Sequence, residues 1–438
     1  MTLRLGCIAD DFTGATDLAN NLVRAGMRVV QLHGVPDAGS APVDADVDAV
    51  VVALKSRTAP PADAVAQSLA ACRFLTAGGA TQIYFKVCST FDSTPLGNIG
   101  PVLEALMDEL DCAFTIATPA FPDNGRTVFK GHLFVGDVLL SESGMRNHPL
   151  TPMTDANLVR VLQAQLATTA RNGASPRRVG LVDHRATGAS AAAIAERFAA
   201  LQKEGVSIAI VDAVANSDLL RLGLAVKDLP LVCAGSGLAI GLPANFGIAA
   251  SGQSASLPAV RGFCAIVSGS CSEATNAQVE HFIRGGGAAH RIDPLELAAG
   301  TDEARVDAIA RWAEGQWKAG PDRPLLVYST APPQAVAAAQ AQAGGLDVGA
   351  RLEAILAAVA RRLVASGARR LVVAGGETSG ACVQALGISR LRIGAQIDPG
   401  VPWCHAEPEG AEDGMHLALK SGNFGGVDFF DRAFSVAT

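Results

Sequence analysis

Asp10 and Asp11 stand side by side where the apolar run 3–9 ends, and Thr13 and Gly14 follow as a helical pattern begins. Carboxylates at the carboxyl end of a buried strand are placed to hold substrate hydroxyls or a hydrated cation. Asp11 would serve equally as a helix cap, and Asp17 reads as solvated or close to that cap. A second set follows the run 82–87. Lys86 offers a point charge to a carboxylate or phosphate, while Ser89, Thr90, Asp92 and Ser93 form a dense row of short hydrogen-bonding groups suited to a polyol. The stretch Asp92-Ser-Thr-Pro can also be read as a plain turn. Third, Asp123-Asn-Gly signals a hairpin turn, from which Arg126 would reach back to grip a carboxylate through two parallel hydrogen bonds. His132, His148 and His184 lack ligand spacing, so no protein-built metal site is expected.

Further along, glycine and serine punctuate strand ends in a different way. Gly375-Gly-Glu-Thr-Ser-Gly separates the apolar run 371–374 from a helix-like stretch, bringing free backbone N–H groups and the positive end of a helix dipole to one point. That suits a phosphate, although an ordinary turn capped by Thr378 or Ser379 has the same composition. Ser268 and Ser270 follow the run 263–267, with Ser270 and Glu273 at capping-box spacing. Gly422 follows the run 417–420 and would let backbone approach a ligand closely. Three such loops in one half of the chain favour a nucleotide pocket. The spacing G-x-x-x-x-G-K-[ST] is absent, and Gly235-Ser-Gly-Leu-Ala-Ile-Gly fails the dinucleotide fingerprint in spacing and in its missing acid, leaving a structural or substrate-side turn.

The elements that must carry these groups alternate short apolar runs with Ala-rich helical patterns, which predicts an α/β fold with mainly parallel sheets. Strands are expected over 3–9, 49–54, 82–87, 114–117, 179–183, 207–211 and 231–234, then over 263–267, 325–328, 371–373 and 417–420; the tract 331–343 reads as a helix. A Ser-, Ala- and Gly-rich stretch, 251–258, divides the 438 residues into an N-terminal domain, 1–250, and a C-terminal domain, 259–438, with a ligand cleft expected between them. Hydrophobic residues make up 49% of the chain, charged residues only 18%, and the formal charge is −7, which excludes disorder and argues against nucleic acid as partner. The uncharged stretch between Asp228 and Arg261 is broken by glycines and proline, so no membrane span is expected. Nine scattered cysteines without paired spacing fit a reducing cytoplasm, and charges interrupt the first apolar run as no leader peptide would allow.

The stretches IADDFTGATD, FKVCSTFDSTPLGNIG, VSGSCSEATNAQV, VAGGETSGACVQALG and ALKSGNFG together resemble the four-carbon acid sugar kinase family, once a domain of unknown function, over nearly the whole chain and in the family's order. LVRAGM and HPLTPMTDANLVRVLQ are similar to the branch that acts on 3-oxo-tetronate. The resemblance implies an ATP-dependent kinase that phosphorylates the C4 hydroxyl of 3-oxo-tetronate, with threonate or erythronate as the alternative acceptors. It implies an N-terminal domain for the acid sugar and a C-terminal domain for ATP, with Mg2+ carried on the nucleotide. Carried over by motif, ATP contacts fall on Ser268, Ser270, Gly375, Gly376, Glu377, Thr378 and Gly422. The acid-sugar side falls on Asp10, Asp11, Thr13, Lys86, Ser89, Thr90, Asp92 and Arg126. Asp92 or Asp11 would take the proton, and Lys86 and Arg126 would hold the substrate carboxylate. A nicotinamide oxidoreductase and a non-catalytic sugar-acid sensor are the rival classes; a homodimer is left open.

Overall fold

Runs such as Ala49–Ala53 and Leu231–Ala234 are apolar on both faces, and a strand buried on both faces needs helices above and below it. The computed structural model describes residues 3–36, 47–92, 94–147, 151–167, 176–250, 252–294, 297, 301–331, 347–408 and 414–436. Ser93, His148 and the expected helix beyond Ala331 lie outside the described residues. The chain divides into two compact units, 1–254 and 255–438.

In the N-terminal unit the strands are β1 (Leu5–Ala9), β2 (Val29–His33), β3 (Ala49–Ala53), β4 (Gln82–Lys86), β5 (Thr115–Thr118), β6 (Arg126–Phe129), β7 (His132–Val135), β8 (Val138–Leu139), β9 (Val179–Val182), β10 (Ile208–Val211) and β11 (Leu231–Ala234). Eight of them form a parallel sheet in the order β2-β3-β1-β4-β11-β5-β10-β9. Strand β2 was not foreseen, because its Gln31 and His33 break an otherwise apolar run. Neither was the small antiparallel sheet β6-β7-β8. Its turn is Lys130-Gly131, both residues at positive φ, as a two-residue hairpin requires. The hairpin turn expected at Asp123-Asn-Gly is instead a single 3-10 turn, Pro122–Asn124, closed by an isolated bridge between Phe121 and Arg126.

The second unit holds β12 (Phe263–Ser268), β13 (Ala288–Arg291), β14 (Leu325–Tyr328), β15 (Ala368–Ala374), β16 (Arg390–Asp398), β17 (Val401–Ala406) and β18 (Met415–Lys420). Their order is β13-β14-β12-β15-β18-β17-β16, parallel as far as β18, with β17 and β16 antiparallel. The β16–β17 hairpin escaped notice because Leu391, Ile393 and Ile397 alternate with polar residues and so form no continuous apolar run; Pro399-Gly400, with Gly400 at φ 76°, makes its turn. Among the described residues no helix is long and apolar enough to cross a membrane.

Parallel register aligns the strand ends that matter. Ala9 pairs with Ala53 on one side and Lys86 on the other, so Asp10 emerges level with the loops after β3 and β4. In the second unit Ser268 pairs with Tyr328 and Ala374, and Ala374 with Lys420. The loops after β12, β14, β15 and β18 therefore open at one edge of that sheet.

Asp212, fully buried just past β10, accepts hydrogen bonds from the N–H groups of Lys130, Gly131 and His184 at 2.7, 2.8 and 2.9 Å, tying the turn of the β6–β7 hairpin to the parallel sheet. Asp212→Ala would leave three N–H donors without this acceptor, that of Gly131 buried, a loss of about 2 kcal/mol. Denaturant unfolding followed by circular dichroism should show a lower midpoint for this variant, and an unchanged midpoint would contradict that role.

Candidate functional site

At the end of β1, four charged side chains close on one another. Arg57 grips Asp10 through two parallel bonds, Nε to Oδ2 at 2.9 Å and Nη2 to Oδ1 at 2.8 Å, and Nη2 lies 3.0 Å from Asp11 Oδ1. Lys86 Nζ lies 3.4 Å from Asp11 Oδ1 and 3.9 Å from Asp10 Oδ1. The backbone N–H groups of Ser56 and Arg57 also donate to Asp10 O, at 3.1 and 3.2 Å. Asn98 secures this loop by donating to the carbonyls of Ser56, Arg57 and Ala59. Nothing in the residues around Arg57 had marked it; its position a few residues past the end of β3 is the one signal available from sequence.

Asp11 fills two positions at once. It caps the helix Phe12–Arg24, accepting from Gly14 N at 2.9 Å, and it accepts from Thr13 Oγ1 at 3.2 Å. Burial alone would raise its pKa, but the charges of Lys86 and Arg57, together with the Thr13 hydroxyl and the Gly14 N–H, pull it down to about 2. Gly14 is where the ammonium passes over the helix: a Cβ there would lie 1.8 Å from Lys86 Nζ. Asp17, expected near solvent, is buried instead, bonded by Ser236 Oγ and raised in pKa by that burial, because its face of the helix packs against the 3-10 segment Ser236–Gly241. The glycines of that segment serve close packing; a Cβ on Gly237 would lie 2.4 Å from Ala120 O.

The polyol row is only partly a row. Ser89 is exposed, whereas Thr90 is buried with its hydroxyl 2.7 Å from Cys88 Sγ. Phe91 and Asp92, both buried, adopt φ of 61° and 35°, a left-handed conformation that costs a side-chain-bearing residue about 1–3 kcal/mol. Gln165 holds this strained turn in place: its Nε2 donates to Asp92 O and Thr94 O, and its Oε1 accepts from Gly100 N. Arg126 begins β6 and among the described residues bonds the carbonyls of Asn124 and Gly125, while its buried Nε has no partner there. Desolvation lowers its pKa. Cys88 lies within electrostatic range of both Arg57 and Arg126, which brings Arg126 to the same loop as Lys86 and Asp92. His132 is structural, its ring nitrogens meeting Lys130 O and Asn157 Nδ2.

In the second unit, β15 passes through Gly375 (φ 124°) into the helix Gly376–Ala385. Neither Thr378 nor Ser379 caps it, and no other side chain does, so its first N–H groups face outward from the exposed Gly376 and Glu377. Thr378 is buried under Gly269 and Gly375 instead, and a Cβ on Gly269 would lie 2.4 Å from its hydroxyl. Ser268 is fully buried with its hydroxyl turned to Thr330 Oγ1 at 2.7 Å. The cap of the next helix, Glu273–Arg284, is Ser272 rather than Ser270; Ser270 Oγ bonds Ser272 and a Cβ on Gly422 would lie 2.6 Å from it. Glycines at 269, 375 and 422 thus let three loops close on one another. Among the described residues no three His, Cys, Asp or Glu side chains converge as a metal site would require.

Residues 5–242 match the family model for a sugar-binding N-terminal domain, and residues 265–430 that for a nucleotide-binding C-terminal domain. The 3-oxo-tetronate kinase of Cupriavidus necator is 56% identical over 436 residues, covering 98% of this chain and 96% of the relative; that of Burkholderia multivorans is 55% identical with the same coverage. A crystal structure of a Salmonella typhimurium LT2 protein described as a tRNA synthase is 44% identical, with a TM-score of 0.87 and 98% of each chain covered. A Haemophilus influenzae protein of known structure is also 44% identical, with a TM-score of 0.80, covering 98% of this chain and 99% of its own.

The low pKa of Asp11 sets a pH window. Its carboxylate stabilises the fold fully above the unfolded value near 3.8, and that contribution is lost as pH falls through about 2. The denaturant midpoint of Asp11→Asn should accordingly fall less than the wild type's as pH drops from about 4 to about 2, as read by fluorescence. Gly14→Ala would push Lys86 off Asp11 and should lower thermal stability by several degrees in calorimetry, by about 2 kcal/mol or more. With charge cluster, uncapped helix start and both domain matches in agreement along its length, the chain belongs to the four-carbon acid sugar kinase family.

Proposed function

We propose that the protein transfers the γ-phosphate of ATP to the C4 hydroxyl of 3-oxo-tetronate, forming 3-oxo-tetronate 4-phosphate and ADP. The observation that carries this reading is the set of 3-oxo-tetronate kinases that are 53–56% identical over nearly the full chain. The formal charge of −7 speaks against a tRNA ligand.

Charge counting assigns the sugar side. Asp10 and Asp11 neutralise Arg57 and Lys86, which leaves Arg126 as the cation whose guanidinium meets no protein carboxylate among the described residues. Arg126 would therefore hold the substrate carboxylate, with Lys86 contributing through the cluster rather than as a free ammonium. Thr13, Ser89 and Thr90 offer hydroxyls to the polyol. Asp11, held down in pKa by two cations, is a weak base, so Asp92 on its strained turn is the better acceptor for the C4 proton. The C4 oxygen then attacks the γ-phosphorus, the bond to the ADP oxygen breaks, and the proton passes to the Asp92 carboxylate.

On the nucleotide side, the N–H groups of Gly376, Glu377 and Thr378 at the uncapped helix start would bind phosphate oxygens, with Ser270 and Gly422 lining the approach. Buried Ser268 would act by fixing the loop after β12. Magnesium, held mainly by nucleotide oxygens and water, would offset phosphate charge.

A coupled ADP-release assay over 3-oxo-tetronate, threonate and erythronate tests the reading; turnover with none of them would overturn it. Asp92→Asn should reduce kcat by about 10²–10⁴-fold while leaving ATP affinity intact. Arg126→Met should raise KM for the acid sugar about tenfold or more with little change in KM for ATP.

A further inference from the structure

Lys420 ends β18, and its side chain is fully buried. Its Nζ lies 2.9 Å from Thr275 Oγ1 and 3.0, 3.1 and 3.1 Å from the carbonyls of Ser421, Gly422 and Phe424. Four oxygens around one nitrogen can take up all three protons of an ammonium, whereas a neutral amine could donate only two. The turn 421–424 is thereby folded around the nitrogen. Gly422 O also accepts from Ser272 Oγ and Thr275 Oγ1, which ties that turn to the first residues of the helix Glu273–Arg284. The backbone carbonyl of Lys420 accepts from Gly375 N at 2.9 Å, so the same residue holds the loop after β15 as well.

A buried ammonium without a carboxylate is costly unless something else supplies negative charge. The ionisable groups on the elements packed around it are Arg369 and Arg370 of β15, Cys404 and His405 of β17, His416 of β18, Glu273, Glu280, His281 and Arg284 of the helix Glu273–Arg284, and Glu377 and Cys382 of the helix Gly376–Ala385. Among the described residues none pairs with Lys420: Glu280 meets Arg284, His281 meets Asp431, and burial keeps the Cys382 and Cys404 thiols neutral. The backbone carbonyl of Lys420 holds the loop after β15, whose first helical N–H groups face outward, so an anion there would be the missing countercharge.

We infer that Lys420 is a positioning residue for the nucleotide, its buried amino group holding the turn after β18 against the start of the helix Glu273–Arg284 and, once protonated, standing as the positive charge behind the bound phosphates. This rests on the nucleotide reading of those loops. Burial pulls the group down to about 7, and a neighbouring phosphate favours its charged form, so binding draws a proton onto it at alkaline pH.

Calorimetric titration of the full chain with ADP and magnesium, in two buffers of different ionisation enthalpy at about pH 8, reads that proton. The wild type should take up a substantial fraction of a proton, and its affinity should fall as pH rises from about 7 to about 9. Lys420→Met should bind ADP at least about tenfold more weakly, without proton uptake, while binding the acid sugar as the wild type does. ADP binding within twofold of wild type in Lys420→Met would overturn the inference alone, and so would wild-type binding without proton uptake, a result that needs no variant to fold. A wild type that binds no nucleotide would overturn the kinase reading along with it.

Discussion

Two carboxylates and two cations share the end of β1, and their mutual neutralisation is what allows charge to sit at the mouth of a largely apolar sheet. Lys86 and Asp10 are almost wholly buried, with side chains only 5% and 6% exposed. Removing any one member would leave a buried charge uncompensated, a loss of about 3–5 kcal/mol. The cluster also fixes geometry. Because Asp11 caps a helix and meets Lys86 and Arg57 at once, the start of that helix, the end of β4 and the loop after β3 are held to a common point. The turn carrying Asp92 leaves β4 directly past Lys86, so its strained backbone is anchored on one side by the cluster and on the other by Gln165.

The C-terminal unit meets a related problem by another route. The loops at its strand ends contain few side chains that could grip an anion, and the positive character comes from backbone N–H groups at an uncapped helix start. Such groups work only if the loops approach closely, which explains the glycines at 269, 375 and 422, each with a neighbouring hydroxyl inside the space a Cβ would need. Gln278 adds to this by donating to the carbonyls of Phe424, Gly425 and Gly426, so the glycine-rich turn after β18 is rigid despite its composition.

Much of this was legible from residue order. The continuous apolar strands appear where their patterns place them, within two residues except at the start of β15, because a strand buried on both faces admits little but apolar side chains. β13 and β16 were missed because much of each is partly or fully exposed and breaks the apolar run, and the buried β17 because Pro402 and His405 interrupt its pattern. Helix caps were misread for a related reason: Ser270, Ser272, Thr378 and Ser379 are all capable caps, and only the path of the backbone decides which hydroxyl meets a free N–H.

The sequence by itself determined the fold class, the parallel strand pattern and the acids, lysine and glycines that stand at strand ends, because strand periodicity and strand-end chemistry are local properties of the chain. Only the tertiary structure decided which charges pair. Arg57, 47 residues after Asp10, and Thr275, 145 before Lys420, come to their partners through strand register and helix packing. Pairing consumed the charge of Lys86 and left Arg126 without a carboxylate among the described residues, a distinction invisible in composition, since the state of a charged side chain is set by the neighbours that folding brings to it.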